Sequence, residues 1–209
     1  MPSQVAHSRD HDPRWIRISI VLMLVYAFPI ALLTTGALPF RFRFHLLLVM
    51  AAAAGVFSVF AGHTLSDLGI RLDNMRQSLV WNASFTALVV FILWTLHSAG
   101  AIRRFPNTPG HAFYVFYVLL SCPSQEFLFR AFLWAELEKA NCSSWGLQLA
   151  VLVIPYTLAH LVYRDPVTLL IALLAGLTWS LIYRRTPNWF GVTLSHSLAG
   201  LATIAYGLI

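Results

Sequence analysis

Runs of roughly twenty consecutive apolar residues, recurring along the chain with basic residues between them, leave few folds open. Twenty residues is about what an α-helix needs to cross bilayer hydrocarbon. In that solvent the backbone must satisfy its own hydrogen bonds, so a bundle of helices is the natural outcome. Seven such runs are predicted, at 18–38, 44–62, 79–99, 112–134, 145–162, 167–183 and 190–209. The expectation is therefore an all-α, polytopic integral membrane helical bundle of about seven transmembrane helices. The range is six to eight, because the segment after Tyr163 is short and helices carrying polar motifs can be broken.

Composition supports the same solvent: 58% of positions are hydrophobic and only 11% charged, against roughly 25% charged in a soluble domain. A net charge of +6 on a soluble chain would raise the question of nucleic acid. Here the basic residues fall between apolar runs, as Arg41 with Arg43, Arg71 with Arg76, Arg103 with Arg104 and Arg184 with Arg185. There they can meet lipid headgroups and set topology, and no nucleic-acid partner is expected. Counting basic residues in alternate loops puts the amino terminus on the cytoplasmic side, and the compact chain suits a bacterial cytoplasmic membrane. Residues 1–15 read as a polar cytoplasmic leader, 16–110 as amino-terminal transmembrane helices with an amphipathic connector, and 111–209 as the catalytic core. The connector, TLSDLGIRLDNMRQSL, reads either as an interfacial helix or as an ordinary loop. Cys122 and Cys142 lack metal-type spacing and read as small core residues.

Ionisable residues inside a membrane are costly, so those retained there mark candidate function. Asp10 and Asp12 lie in the leader, Asp67 and Asp73 in the connector, Glu136 and Glu138 at a helix end and Asp165 in a loop. Only Glu126 remains within an apolar run. It stands in SCPSQEFLFRAFLW, four residues before Arg130, so the two share a helix face and can pair. Pro123 is expected to open or kink the helix just before them. His160 and His196 stand alone in two later apolar helices, while His45, His63, His97 and His111 read as interfacial. Each polar residue has a companion four positions on or back: Glu126 with Arg130, Tyr156 with His160, His196 with Gly200. One carboxylate and two imidazoles on three helices can activate a water, as general bases or as a 2-His-1-carboxylate metal set of Glu126, His160 and His196. Hydrolysis is the natural reaction class, although a proton relay in a transporter could use the same residues. The internal repeat a transporter would show is missing.

Read in order, the three places resemble the motifs of the CAAX-protease-like family of intramembrane endopeptidases, also called CPBP or Abi. Its pattern is Glu-Glu-x-x-x-Arg, then an aromatic-x-x-x-His, then His-x-x-x-Asn. This chain has Gln125-Glu126-x-x-x-Arg130, Tyr156-x-x-x-His160 and His196-x-x-x-Gly200. AGLTWSLIYRRTPNWFGVTLSHSLAG resembles the family's Gly-rich span, turn and final His helix, and LSDLGIRL its Leu-Gly-Leu segment. The resemblance implies a helical core with a conical cavity open to the membrane, and cleavage of peptide bonds near the bilayer, as in type II CAAX prenyl endopeptidases. It also implies that the first Glu activates water with help from both His, and that the Asn stabilises the oxyanion. Descriptions of such proteins divide between zinc-dependent and metal-free glutamate chemistry, so the cofactor is either none or a divalent metal.

Two departures fall on those roles. Gln125 replaces the first Glu, and an amide cannot act as a general base. Gly200 replaces the Asn, a donor typically worth ~3 kcal/mol to an oxyanion. Three accounts are open. In the first, Glu126 takes over as base or metal ligand, with Asn188 or a backbone N–H covering the oxyanion. In the second, His160 or His196 is the base and Gln125 positions water or the scissile carbonyl. The third is a catalytically silent relative that binds hydrophobic peptides or partner helices in an immunity or scaffold role. The expected activity is endopeptidase cleavage of membrane-associated or lipidated proteins, with Glu126 and His160 acting on the water, His196 assisting and Arg130 holding Glu126. The expected partners are membrane lipids and a membrane-associated peptide or protein substrate.

Overall fold

The computed structural model describes residues 13–102 and 109–207. The predicted leader therefore lies almost wholly outside the described residues, as do Arg103 and Arg104. Among the described residues there is no strand, and seven helices follow one another along the chain. They are α1 (Arg14–Thr34), α2 (Phe40–Phe60), α3 (Met75–Ser98), α4 (His111–Lys139), α5 (Trp145–Tyr163), α6 (Pro166–Arg185) and α7 (Trp189–Ala205). The first six are long and apolar enough to cross a membrane, and α7 is a shorter apolar helix. The protein is an integral membrane helical bundle. Large side chains such as Val59 and Phe60 stand 76% and 87% exposed, as a face turned to lipid requires.

Local sequence sets the helix ends. Ser144, Asp165 and Asn188 cap α5, α6 and α7, their side chains accepting from Leu147, from Val167 and Thr168, and from Gly191 respectively. Pro166 occupies the first turn of α6, where its missing N–H costs nothing. The short connections at 35–39, 140–144, 164–165 and 186–188 make successive helices antiparallel.

At the centre is α4, in which every residue from Leu128 to Leu137 is buried. Pro123 does not break this helix. Instead the chain stays helical by widening into π-turns at Tyr117–Ser121 and Phe127–Phe132, and the Cys122 N–H donates to Tyr117 O, five residues back. A π-turn weakens the ladder and leaves carbonyls for other donors, which is why such turns gather at functional sites. Two are used here: Tyr26, itself on a π-turn of α1, donates to Leu128 O at 2.6 Å, and Trp189 Nε1 donates to Pro123 O at 3.1 Å.

The connector before α3 forms turns rather than an interfacial helix. It is bolted to the turn between α6 and α7: Tyr183 donates to Leu68 O, Trp189 N to Gly69 O, and Asn188 Nδ2 to both Arg71 O and Asn74 Oδ1. Gly69 permits this because its φ is +68° and a Cβ there would strike the Tyr183 hydroxyl.

Glu136 departs from expectation. Glu136, read as a helix-end acid, is 2% exposed. It accepts from Arg17 Nε at 2.7 Å and Arg17 Nη2 at 2.5 Å, and meets His63 Nε2 at 2.6 Å. His63, just past the end of α2, has its side chain buried against Glu136. The pairing explains how a second carboxylate is tolerated inside: its charge is matched by a guanidinium whose side chain is still about one-third exposed.

Candidate functional site

The three helices bearing the predicted residues do converge. Glu126 comes from α4, Tyr156 and His160 from the end of α5, and His196 and Gly200 from α7. Glu126 is 0% exposed. Its Oε1 accepts from Arg130 Nη1 at 3.0 Å and from His196 Nδ1 at 2.5 Å, while Oε2 has no partner among the protein groups. Arg130 is also 0% exposed, lying over the Tyr156 ring at 4.0 Å and near the Trp179 ring at 5.6 Å. Those π faces attract the cation where its Nε and Nη2 find no oxygen. Gly176 makes room for this stack: a Cβ there would come within 2.7 Å of the Tyr156 ring.

A cavity of about 370 Å³ lies alongside, in the half of the bundle that holds the start of α4 and the end of α5. Its polar walls include Gln125, His160, His196, Tyr117 and Ser121. Glu126 is not among them, because His196 stands between the carboxylate and the cavity. Gln125, one residue earlier on the helix, does face it, with Nε2 donating to Ser121 Oγ at 3.1 Å. The geometry therefore puts the substituted Gln125 at the cavity wall and the retained Glu126 behind it.

Both imidazoles are fixed in one tautomer. His160 Nδ1 donates to Tyr156 O at 2.8 Å, and since a carbonyl only accepts, neutral His160 keeps its lone pair on Nε2. His196 Nδ1 donates to the Glu126 carboxylate, again leaving Nε2 basic, while its ring stacks on Trp179 at 4.7 Å and 22°. A carboxylate orienting an imidazole in this way is the arrangement by which a histidine base is aimed and its protonated form stabilised.

Glu126, His160 and His196 are one alternative, a metal set for the case in which a metal is used. Glu126 Oε1 faces a guanidinium and an imidazole N–H, and both would repel a cation from that oxygen. Among the described residues no group of three His, Cys, Asp or Glu is placed to hold a metal ion.

Asn188 is not in the cavity either. Its Oδ1 caps α7 and its Nδ2 is committed to the connector, so neither amide atom is left to meet an oxyanion. Tyr117, which lies outside the three motifs, does occupy the relevant space. It is 8% exposed, its ring stands edge-on to His196 at 6.3 Å, and its hydroxyl fills the notch that Gly200 leaves. A Cβ at position 200 would overlap that hydroxyl and lie 2.7 Å from Cζ. Cys122, 0% exposed beside this group, is a buried small residue.

Comparison with curated proteins finds no match, and comparison with solved structures finds none. A family model described as type II CAAX prenyl endopeptidase Rce1-like matches residues 106–202. That segment holds Gln125, Glu126, Arg130, Tyr156, His160, His196 and Gly200, and the match supports the resemblance of this part of the chain to the CAAX-protease-like family.

Proposed function

We propose that the protein is an intramembrane endopeptidase that cleaves membrane-associated peptides with a histidine, in place of a glutamate, as the base acting on water. One observation carries this reading: His160 and His196 line a single cavity with Gln125, each with Nδ1 occupied and Nε2 available, and Glu126 backs His196 through a 2.5 Å hydrogen bond. His196 is the preferred base. Proton transfer from water to its Nε2 creates an imidazolium that the buried Glu126 carboxylate stabilises, while Arg130 holds that carboxylate in place. Gln125 holds Nε2 on Ser121, so its Oε1 is the atom that can accept from the attacking water or from the substrate amide. The His196 imidazolium then returns that proton from Nε2 to the leaving amine, while His160, with its lone pair on Nε2, accepts a hydrogen bond from the attacking or a second water. The amino terminus on the cytoplasmic face of a bacterial membrane belongs to the same proposal.

A second reading is favoured by Gln125 itself. An amide at the wall and a notch filled by Tyr117 also suit a cavity that binds a hydrophobic peptide without cutting it.

Quenched fluorescent hydrophobic peptides incubated with detergent-purified protein separate the two. Cleavage lost in His196→Ala and reduced in Glu126→Gln supports the histidine mechanism. A general base contributes roughly 10²–10⁴-fold, so the loss in His196→Ala should fall within that range. A wild type that binds but never cleaves, and gains cleavage only with Gln125→Glu, establishes the silent relative.

A further inference from the structure

We infer that Arg43, on the first turn of α2, binds the free terminal carboxylate of the peptide that occupies the cavity. The choice of a peptide rests on the function proposed above; the site itself rests on Arg43. This residue lines the 370 Å³ cavity together with Gln125 and His160. It also lines a smaller apolar pocket of about 110 Å³ between α1, α2, α4 and α5, again with Gln125 and His160. It stands at the junction of the two.

Its guanidinium is held in place but not neutralised. The group lies over the Phe40 ring at 4.0 Å and the Phe44 ring at 4.3 Å, and Nη1 donates only to Phe40 O at 3.3 Å. Nε is buried with no hydrogen-bond partner, and among the described residues Arg43 forms no ion pair with an acid. The contrast with Arg17, Arg71 and Arg130 is direct, since each of those meets a carboxylate.

Placement sharpens the point. Arg43 opens the 18-residue α-helical part of α2, after the 3-10 turn at Phe40–Phe42, where the macrodipole is positive and a cation is disfavoured. A charge kept against the dipole, oriented by two rings and short of a counterion, is suited to an anion arriving from outside the fold, and the helix terminus adds its own field to the attraction. The remaining wall favours a peptide over a lipid. Gln125, Ser121, Thr168 and Thr203 offer hydrogen-bonding groups that an acyl chain has no use for and that peptide amides need.

The test is fluorescence anisotropy on the full chain in a neutral detergent. It uses a labelled apolar decapeptide with a free carboxyl terminus, the same peptide amidated, and dodecyl phosphate as competitor. A charge-assisted contact of this kind should favour the free carboxylate by about tenfold or more. Arg43→Gln should abolish that preference without changing affinity for the amide, and Arg43→Lys should keep part of it. Equal binding of the two peptides by the wild type overturns the inference, as does a preference that survives in Arg43→Gln. The wild-type comparison requires no variant to fold. Dodecyl phosphate that displaces nothing at concentrations saturating for the acid peptide supports a peptide site. Displacement of both peptides alike assigns the guanidinium to lipid headgroups and overturns it. Cleavage is read separately: discrimination without cleavage defeats the proposed activity and leaves this site standing.

Discussion

Gly200→Ala sets two opposing effects against each other at one position of α7. In a helix interior alanine is favoured over glycine by about 1 kcal/mol, so on propensity alone the variant should be more stable. The local geometry predicts the reverse. The new Cβ would overlap the Tyr117 hydroxyl and approach Cζ to 2.7 Å and Cε1 to 2.9 Å, all inside ordinary van der Waals contact. Tyr117 has little freedom to retreat, because it is 8% exposed and its ring stacks on Phe113 at 6.0 Å. Overpacking of this kind costs about 1–3 kcal/mol, which outweighs the propensity gain over most of that range. A net loss near 1 kcal/mol corresponds to a Tm lower by about 2–4 °C in a chain of this size. Thermal unfolding in detergent, followed by intrinsic fluorescence, reads this directly. The double variant Gly200→Ala with Tyr117→Ala removes the clash, so the alanine at 200 should become neutral or stabilising in that background. A Gly200→Ala protein more stable than wild type would refute the claim that Tyr117 fills the notch. The same reasoning predicts that Gly200→Asn cannot supply a side-chain donor unless Tyr117 is made smaller first.

Removing Arg17 as Arg17→Met strands the Glu136 carboxylate with His63 alone and should cost about 3 kcal/mol. Glu136→Gln should cost clearly less, because Arg17 can turn toward water; equal losses in the two unfolding curves would contradict the arrangement. Asn188→Ala removes the cap of α7 and two bonds to the connector, and should lower stability by about 2 kcal/mol, with little change in peptide affinity if the residue has no part in the cavity. Backbone and hydroxyl donors of Thr64 hold the Asp67 carboxyl below its ordinary value. A group whose folded pKa is depressed stabilises fully above the unfolded value near 4 and loses that contribution as pH falls through the folded one. Wild type should therefore lose more stability than Asp67→Asn between pH 5 and pH 3, and parallel pH profiles would contradict this.

The helices were legible because each apolar run is about one membrane crossing long, a property of consecutive residues. Convergence of Glu126, His160 and His196 was legible for a related reason, since intramembrane polar groups must find one another. What stayed hidden depends on distance along the chain or on which way a side chain turns. The Glu136 site joins Arg17, His63 and Glu136 across separations of 119 and 73 residues, and nothing local marks it. Whether Gln125 or Glu126 faces the cavity turns on π-turns that no hydropathy pattern encodes. Asn188 before an apolar run carries an ordinary N-cap signal, and the cap uses the oxygen while the connector uses the nitrogen, which leaves no amide atom for an oxyanion. Tyr117 could have been found only by asking what fills the space beside a glycine that replaces a larger residue.

The two ends of the bundle are fastened by different forces. Where α1 begins and α4 and α6 end, bonds from Arg17, His63, Lys139, Tyr183 and Asn188 tie residues from 73 to 119 positions apart. At the other end, Phe44 rests against Phe113 and Phe116, and Phe40 against Tyr163, while the bonds of Arg43, His97 and Asp165 reach no further than five residues. Ring contacts slide where directional bonds must break. The bundle is thus stiff like the hinge side of a clothes-peg and compliant at its jaws, and the cavity lies in the jaws. Among the described residues, parting α2 from α4 there disturbs the contacts of Phe44 with Phe113 and Phe116 and leaves the bonded seam at the far end untouched.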